Sequence, residues 1–249
     1  MSRTLGLPGA IRACLFDLDG VLTRTATLHA AAWKETFDAF LRERADATGS
    51  SFEPFDLERD YHEHVDGKLR SDGARSFLAS RGIELPEGEP GVPSGGTVVG
   101  LGERKNELLH ALIRRGHVET YPGSIRYVQA VREAGLRRAV VSASKNCREI
   151  LRAAGIEDLF EEVIDGVVAE REHLSGKPAP DTFLAGARAL DTGRAETAVF
   201  EDSLAGVAAG RAGGFGCVVG VDRSGHGPAL LDHGADVVVS DLAELLERE

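Results

Sequence analysis

The chain has 249 residues, 42% of them apolar and 28% charged, with a formal net charge of -11. That is the balance of a globular domain able to bury its own core, and it excludes fibrous and disordered classes. The acidic excess argues against a nonspecific nucleic-acid binder and against an anionic membrane surface, so an anionic ligand would need a local cation cluster or a bound metal.

No apolar run approaches the roughly 18 residues of a membrane helix. The N-terminal stretch reaches Asp17 before any leader-like apolar region develops. Cys14, Cys147 and Cys217 are odd in number and widely spaced, which reads as small buried hydrophobes in a reduced compartment. The expectation is a cytoplasmic protein, monomeric, with neither nucleic-acid nor membrane partners.

In chain order, Ile11 to Phe16 is short, apolar and rich in strand formers, a buried strand that stops at the turn DLDG. Leu28 to Ala45 has apolar residues at helical spacing. Residues 56 to 82 carry two helix-like stretches broken at Asp66-Gly67, with Gly82 suited to a C-cap. The Gly- and Pro-dense stretch 86 to 102 reads as an exposed loop, or as a lid or hinge, and Glu103 to Arg115 returns to helix.

Beyond Tyr121-Pro122-Gly123 helices and strands alternate. Helices are expected over Ile125 to Glu133, Cys147 to Ala154, Asp181 to Leu190, Leu204 to Ala212 and Leu242 to Glu249. Strands are expected over Arg138 to Ser142, Glu162 to Ile164, Thr197 to Phe200, Cys217 to Val221 and Asp236 to Val239. This grammar predicts a Rossmann-like α/β core with a parallel sheet, from residues 1–26 and 118–249, and a helical domain, residues 27–117, inserted after the first strand.

Sites on such sheets form at the carboxyl ends of strands. The reactive residues there are Asp17 and Asp19 after the first strand, Ser142 to Asn146 after the second, and Glu201, Asp202 and Ser203 after the TAVF strand. Lys177 opens the helix beginning near Asp181. Converging carboxylates resist ionisation unless a cation lies among them, and all-oxygen ligands suit a hard ion such as Mg2+. A lysine and oriented donors beside them are what a phosphoryl group requires. Taken singly these signals are weak: a DxD is often a turn, an ED pair a helix start, a KP the end of a loop. His62-Glu63-His64 has the wrong spacing for one helix face and reads as a solvated loop. GRAGGFG, between a helix and a strand, reads as a helix stop.

DLDGVLT, SAS, GKPAPD and FEDS resemble, in order, the four motifs of the haloacid dehalogenase superfamily. The chain is more specifically similar to the β-phosphoglucomutase family, through DGVLTRTATLHAAAW, Gly67-Lys68-Leu69-Arg70, Arg104-Lys105-Asn106, SASKN and KPAPD. The likeness runs from about Cys14 to Ala212. It implies that Asp17 is the nucleophile that becomes an aspartyl phosphate and Asp19 the general acid/base. It implies Mg2+ held by Asp17, the Asp19 carbonyl, Glu201 and Asp202. Ser142, Ala143 and Lys177 would hold the transferring phosphate, and Arg70, Ser144, Lys145 and Asn146 the distal one.

Gly67, Lys105 and His29 match positions near the sugar site and hinge, and Thr25 one that helps place Asp19. The implied reaction interconverts β-D-glucose 1-phosphate and D-glucose 6-phosphate, with β-glucose 1,6-bisphosphate as intermediate and activator. The rivals are a sugar-phosphate phosphatase on the same scaffold and a nonenzymatic receiver-like module, the latter needing neither this length nor a helical insert. Arg24 stands where relatives carry an acidic residue, and the loop 86–102 is longer than in compact members.

Overall fold

The computed structural model describes residues 5–89, 91, 95–115, 118–223 and 225–246. The chain forms two compact units: one from residues 1–24, 67–69 and 118–249, the other from residues 25–66 and 70–117. The tripeptide 67–69 therefore groups with the α/β unit, although it lies inside the stretch 27–117 expected to form the helical domain.

In the α/β unit six strands form one parallel sheet in the order β3-β2-β1-β4-β5-β6. They are β1 (Ala13–Phe16), β2 (Arg137–Val141), β3 (Glu162–Ile164), β4 (Thr197–Glu201), β5 (Cys217–Val221) and β6 (Val237–Val239). Every residue of β1, β4 and β5 is buried, because helices cover both faces of a parallel sheet. This is the doubly wound order, whose switch point lies between β1 and β4.

Helices α1 (Ala26–Thr48), α2 (Arg70–Ser80) and α3 (Val98–Arg115) build the helical unit. The α/β unit holds α4 (Pro122–Glu133), α5 (Cys147–Ala153), α6 (Gly166–Arg171), α7 (Asp181–Ala189), α8 (Leu204–Gly213) and α9 (Gly227–Asp232). The sheet core joins Leu15, Val141 and Val199 to Phe183 of α7 and Val207 of α8. The helical unit has its own core of Trp33, Phe37, Phe40, Phe55, Phe77 and Leu101, with Phe37 stacked on Trp33 at 4.8 Å and packed on Phe77 at 4.3 Å. Aromatic packing of this kind adds to what area burial alone contributes.

Several expectations change. Helix α3 begins at Val98 and absorbs the end of the supposed loop 86–102; positions 90 and 92–94 of that loop lie outside the described residues, as do 247–249 of the expected closing helix. Its described part is a 3-10 turn, Leu242–Leu246. His62-Glu63-His64 lies in a π-helical turn, Tyr61–Val65, closed by Asp66 N–H to Tyr61 O at 2.9 Å. It is no solvated loop: His62 lies 3.4 Å from Asp66 and His64 3.7 Å from Glu63. The three cysteines are buried and free as expected, and burial raises each thiol, Cys217 to about 11. Among the described residues no helix is long and apolar enough to cross a membrane.

Candidate active site

Strand register assembles the site. Phe16 pairs with Val140 of β2 and with Phe200 of β4, so the next residues, Asp17, Val141 and Glu201, form one row at the sheet's carboxyl edge. Side chains alternate along a strand. Phe16 and Phe200 stack at 4.5 Å on one face, which sends Asp17 and Glu201 to the other, the face of Leu15 and Val199. Helix α7 covers that face through Phe183, and the segment entering α7 delivers Lys177.

Lys177 is buried, and its Nζ donates to Asp17 Oδ1 at 2.6 Å, to Glu201 Oε1, and to the Val141 carbonyl at 3.4 Å. Glu201 is also fully buried, and its second oxygen accepts from Ser203 N and Oγ, both at 3.0 Å. Both Glu201 oxygens are thus engaged, and the carboxylate keeps lone pairs that could also face a cation. Burial opposes the Lys177 ammonium, but the two carboxylates outweigh it and hold the group above the usual lysine range.

Burial pushes the Asp17 carboxyl well above its usual range; Lys177 pulls it down, and Glu201 and Asp19 add repulsion. One ammonium between two carboxylates leaves negative charge in a desolvated place. A hard cation would relieve it, and the donor set is all oxygen. The residues fit Mg2+.

The turn after β1 is built for close approach. Gly20 has φ +87°, and a Cβ there would lie 1.7 Å from Asp202 Oδ2, so only glycine lets the Asp202 carboxylate stand against this turn. Gly20 N–H donates to Thr23 O at 2.8 Å, and Thr23 returns its own N–H and hydroxyl to Leu18 O at 2.9 and 3.1 Å. Gly67, also at positive φ, abuts Ser203: a Cβ would come within 2.2 Å of its Oγ.

After β2, Ser142 is buried and its Oγ accepts from Ser144 N–H at 3.1 Å; the hydroxyl proton stays available as a donor. Asn146 N–H donates to Ser144 Oγ at 3.2 Å. The carbonyl of Ala143 lies so near Gly166 that a Cβ there would meet it at 2.7 Å. Lys145 is exposed and pairs with Glu170 at 2.9 Å, an ion pair weak enough to reopen for an anion.

In the helical unit Arg70 bonds Glu103 at 3.0 Å and the Asn106 side-chain oxygen at 2.8 Å. Lys105 is buried, 3.1 Å from His29 Nδ1 and over the Trp33 ring at 5.4 Å. Thr25 is buried at the start of α1, its carbonyl accepting His29 N–H at 3.0 Å. The expected residues accordingly fall into two groups, one within each unit.

A family model for haloacid dehalogenase-like hydrolases matches residues 11–214. The chain is 56% identical to a β-phosphoglucomutase of Mycobacterium tuberculosis (strain CDC 1551 / Oshkosh), over 98% of this chain and 95% of that protein. The chain belongs to the haloacid dehalogenase superfamily and to its β-phosphoglucomutase family. A β-phosphoglucomutase of Bacillus subtilis (strain 168) is 34% identical over 96% and 95% of the two chains. The crystal structure of the Clostridium difficile β-phosphoglucomutase superposes with TM-score 0.72 at 25% identity, covering 94% of this chain and 93% of that one.

Among site neighbours of this β-phosphoglucomutase-family chain, sequence reasoning passed over Arg223 and Tyr121. Arg223 donates to the carbonyls of Gly20 and Val21 at 3.1 and 3.5 Å, and its guanidinium lies 3.7 Å from the centre of the Tyr121 ring. A signal was present: Arg223 stands two residues beyond β5, at the same carboxyl edge that supplied the other candidates.

Proposed function

We propose that this chain is a Mg2+-dependent phosphomutase that interconverts β-D-glucose 1-phosphate and D-glucose 6-phosphate. The observation that carries the mechanism is the Asp17 carboxylate, buried at the switch point and held through one oxygen by Lys177 at 2.6 Å. Such a carboxylate is oriented as a nucleophile. Its oxygen attacks phosphorus, the P–O bond to the sugar breaks, and Asp19 gives the sugar oxygen its proton. In reverse, Asp19 takes the proton from a sugar hydroxyl, which attacks the aspartyl phosphate.

The phosphoryl group passes from phospho-Asp17 to O6 of β-glucose 1-phosphate, giving the 1,6-bisphosphate. That intermediate turns end for end. Asp17 then accepts the phosphoryl group from C1, glucose 6-phosphate leaves, and phospho-Asp17 is restored. Lys177, the Ser142 hydroxyl and the Ala143 backbone are assigned to the oxygens of the transferring group. Mg2+, when bound, would neutralise charge gathering on those oxygens. Asp17, the Asp19 carbonyl, Glu201 and Asp202 would hold it, with Glu201 also fixing Lys177.

A mutase needs a second anion site, because its intermediate carries a phosphate at each end. Arg70 fits that role by chemistry, as a guanidinium able to bind phosphate bidentately, with Ser144, Lys145 and Asn146 as its counterparts on the α/β unit. The helical unit is assigned the role of a cap that excludes water, with Lys105 and His29 as sugar or closure contacts.

The test is one reaction mixture of protein, β-glucose 1-phosphate, Mg2+ and a trace of β-glucose 1,6-bisphosphate, in which glucose 6-phosphate and free phosphate are followed together. Glucose 6-phosphate with little free phosphate is the expected result; free phosphate in its place would make the chain a phosphatase. Arg70→Ala is expected to lower glucose 6-phosphate formation by about a hundredfold, the usual scale for a lost phosphate clamp. An unchanged rate would remove Arg70 from the mechanism.

A further inference from the structure

We infer that Arg223 is a positioning residue that holds the Asp17–Val21 turn in its working shape. This rests on the reading of that turn as the reactive one. The guanidinium reaches it with two donors, Nε to Gly20 O at 3.1 Å and Nη2 to Val21 O at 3.5 Å. The same Nη2 donates to Ser124 Oγ at 3.0 Å, while Nη1 donates to the Ser240 carbonyl and to Asp241 Oδ2 at 3.3 Å. The fork thereby ties the turn to the start of α4 and to the segment after β6.

Asp222, the residue before Arg223, is itself anchored. Asp222 Oδ1 accepts N–H bonds from Gly225 and His226 at 2.7 and 2.9 Å, and Oδ2 accepts one from Gly227 at 2.9 Å. These bonds fix the backbone next to the point from which Arg223 extends across the site. Its plane rests on Tyr121, whose ring centre is 3.7 Å from the Arg223 guanidinium and 4.6 Å from that of Arg24. Tyr121 N–H also donates to Leu22 O at 2.9 Å, so the backbone that carries the ring is tied to the end of the turn.

The consequence falls on Asp19. The Asp19–Gly20 peptide is fixed on its N–H side by Thr23 O at 2.8 Å, and the following peptide is fixed through Gly20 O by Arg223. With both planes held, the Asp19 carbonyl has one orientation and its side chain one origin. Gly20 cannot move toward Asp202, whose carboxylate already fills the place a Cβ would take. A guanidinium spanning successive carbonyls does what an ammonium cannot, because its donors diverge in a fixed plane.

The experiment compares wild type with Arg223→Lys and Arg223→Gln by steady-state kinetics and by amide hydrogen exchange of the metal-free protein. Both variants are expected to lose about tenfold to a hundredfold in kcat while KM for β-glucose 1-phosphate stays within about threefold, the pattern of displaced reacting groups with substrate binding kept. Amides of residues 18–23 should exchange at least about tenfold faster, while β4 keeps its protection.

Exchange at wild-type rates in the turn, or acceleration shared equally by β4, overturns the proposal, the second result making Arg223 a strut of the whole sheet. So does a lysine variant with wild-type kcat. If Arg223→Gln does not fold, Arg223→Lys, which keeps the charge, decides. Should wild type fail to turn over β-glucose 1-phosphate, the phosphomutase reading falls while the exchange data still judge Arg223.

Discussion

Asp17 and Asp19 are two residues apart, yet their surroundings differ in kind. Asp17 is 6% exposed and bonded to Lys177, whereas Asp19 is partly exposed on the turn. For the proposed roles, Lys177 and a bound cation would keep an Asp17 nucleophile ionised against its burial, and partial exposure would let Asp19 exchange a proton. Asp17→Asn should therefore abolish turnover and the aspartyl phosphate. Asp19→Asn should lower turnover at least about a hundredfold, read by trapping the phosphoenzyme on acid quench. Near wild-type turnover in either would end the assignment. Lys177→Met leaves Asp17 and Glu201 buried without their cation, and breaking one side of such a cluster costs about 3 to 5 kcal/mol. Urea unfolding of the metal-free protein should show that loss.

At the scale of elements, most helices and strands were legible in the sequence, and two short helices and one widened turn were not. Helix α1 and strands β3 and β5 stand where the pattern put them, α1 running longer at each end. Helices α6 and α9, six residues each, are too short for a periodicity to repeat. Asp165, whose Oδ1 accepts the N–H groups of Val167 and Val168 at 3.0 and 2.9 Å, was the available cue for α6, as an N-cap before glycine.

The π-helical turn was hidden for another reason: nothing in YHEHV distinguishes a widened turn from a loop. This turn carries its own pH dependence. The hydrogen bond to Asp66 raises the His62 pKa, against burial, with the Asp66 and Glu58 charges adding to the rise. The stabilisation is fully present below the unfolded value of about 6.5 and disappears as pH climbs through the higher folded value. Wild type should exceed His62→Asn in urea stability by about 0.5 kcal/mol at pH 5.5, the scale of a partly exposed ion pair, and this margin should vanish by about pH 9. A margin that grows with pH would refute the ion pair.

At the scale of the whole molecule, the sheet and the aromatic core of the helical unit need no metal. Both cores are built from buried apolar side chains, so chelation should silence the enzyme without unfolding it. The expected outcome of EDTA treatment is loss of turnover, an unchanged far-ultraviolet circular dichroism spectrum, and recovery with Mg2+ but not with Ca2+. Calcium takes more ligands at longer distances than a compact carboxylate mouth accommodates. Unfolding on chelation would make the ion structural instead.

What the residues alone determined is the chemistry and its address. Strand ends are readable from short apolar runs, and a doubly wound sheet places whatever follows them on one edge, so Asp17, Ser142 and Glu201 could be grouped before any coordinates. Register and packing decided the rest. That Asp17 and Glu201 share Lys177 depends on Phe16 pairing with Phe200 and on α7 lying over that face. Arg223 meets Gly20 across 203 positions of sequence, and Gly67 meets Ser203 against the grain of its neighbours. Such meetings follow from side-chain direction and close approach in three dimensions, and a linear spacing carries neither.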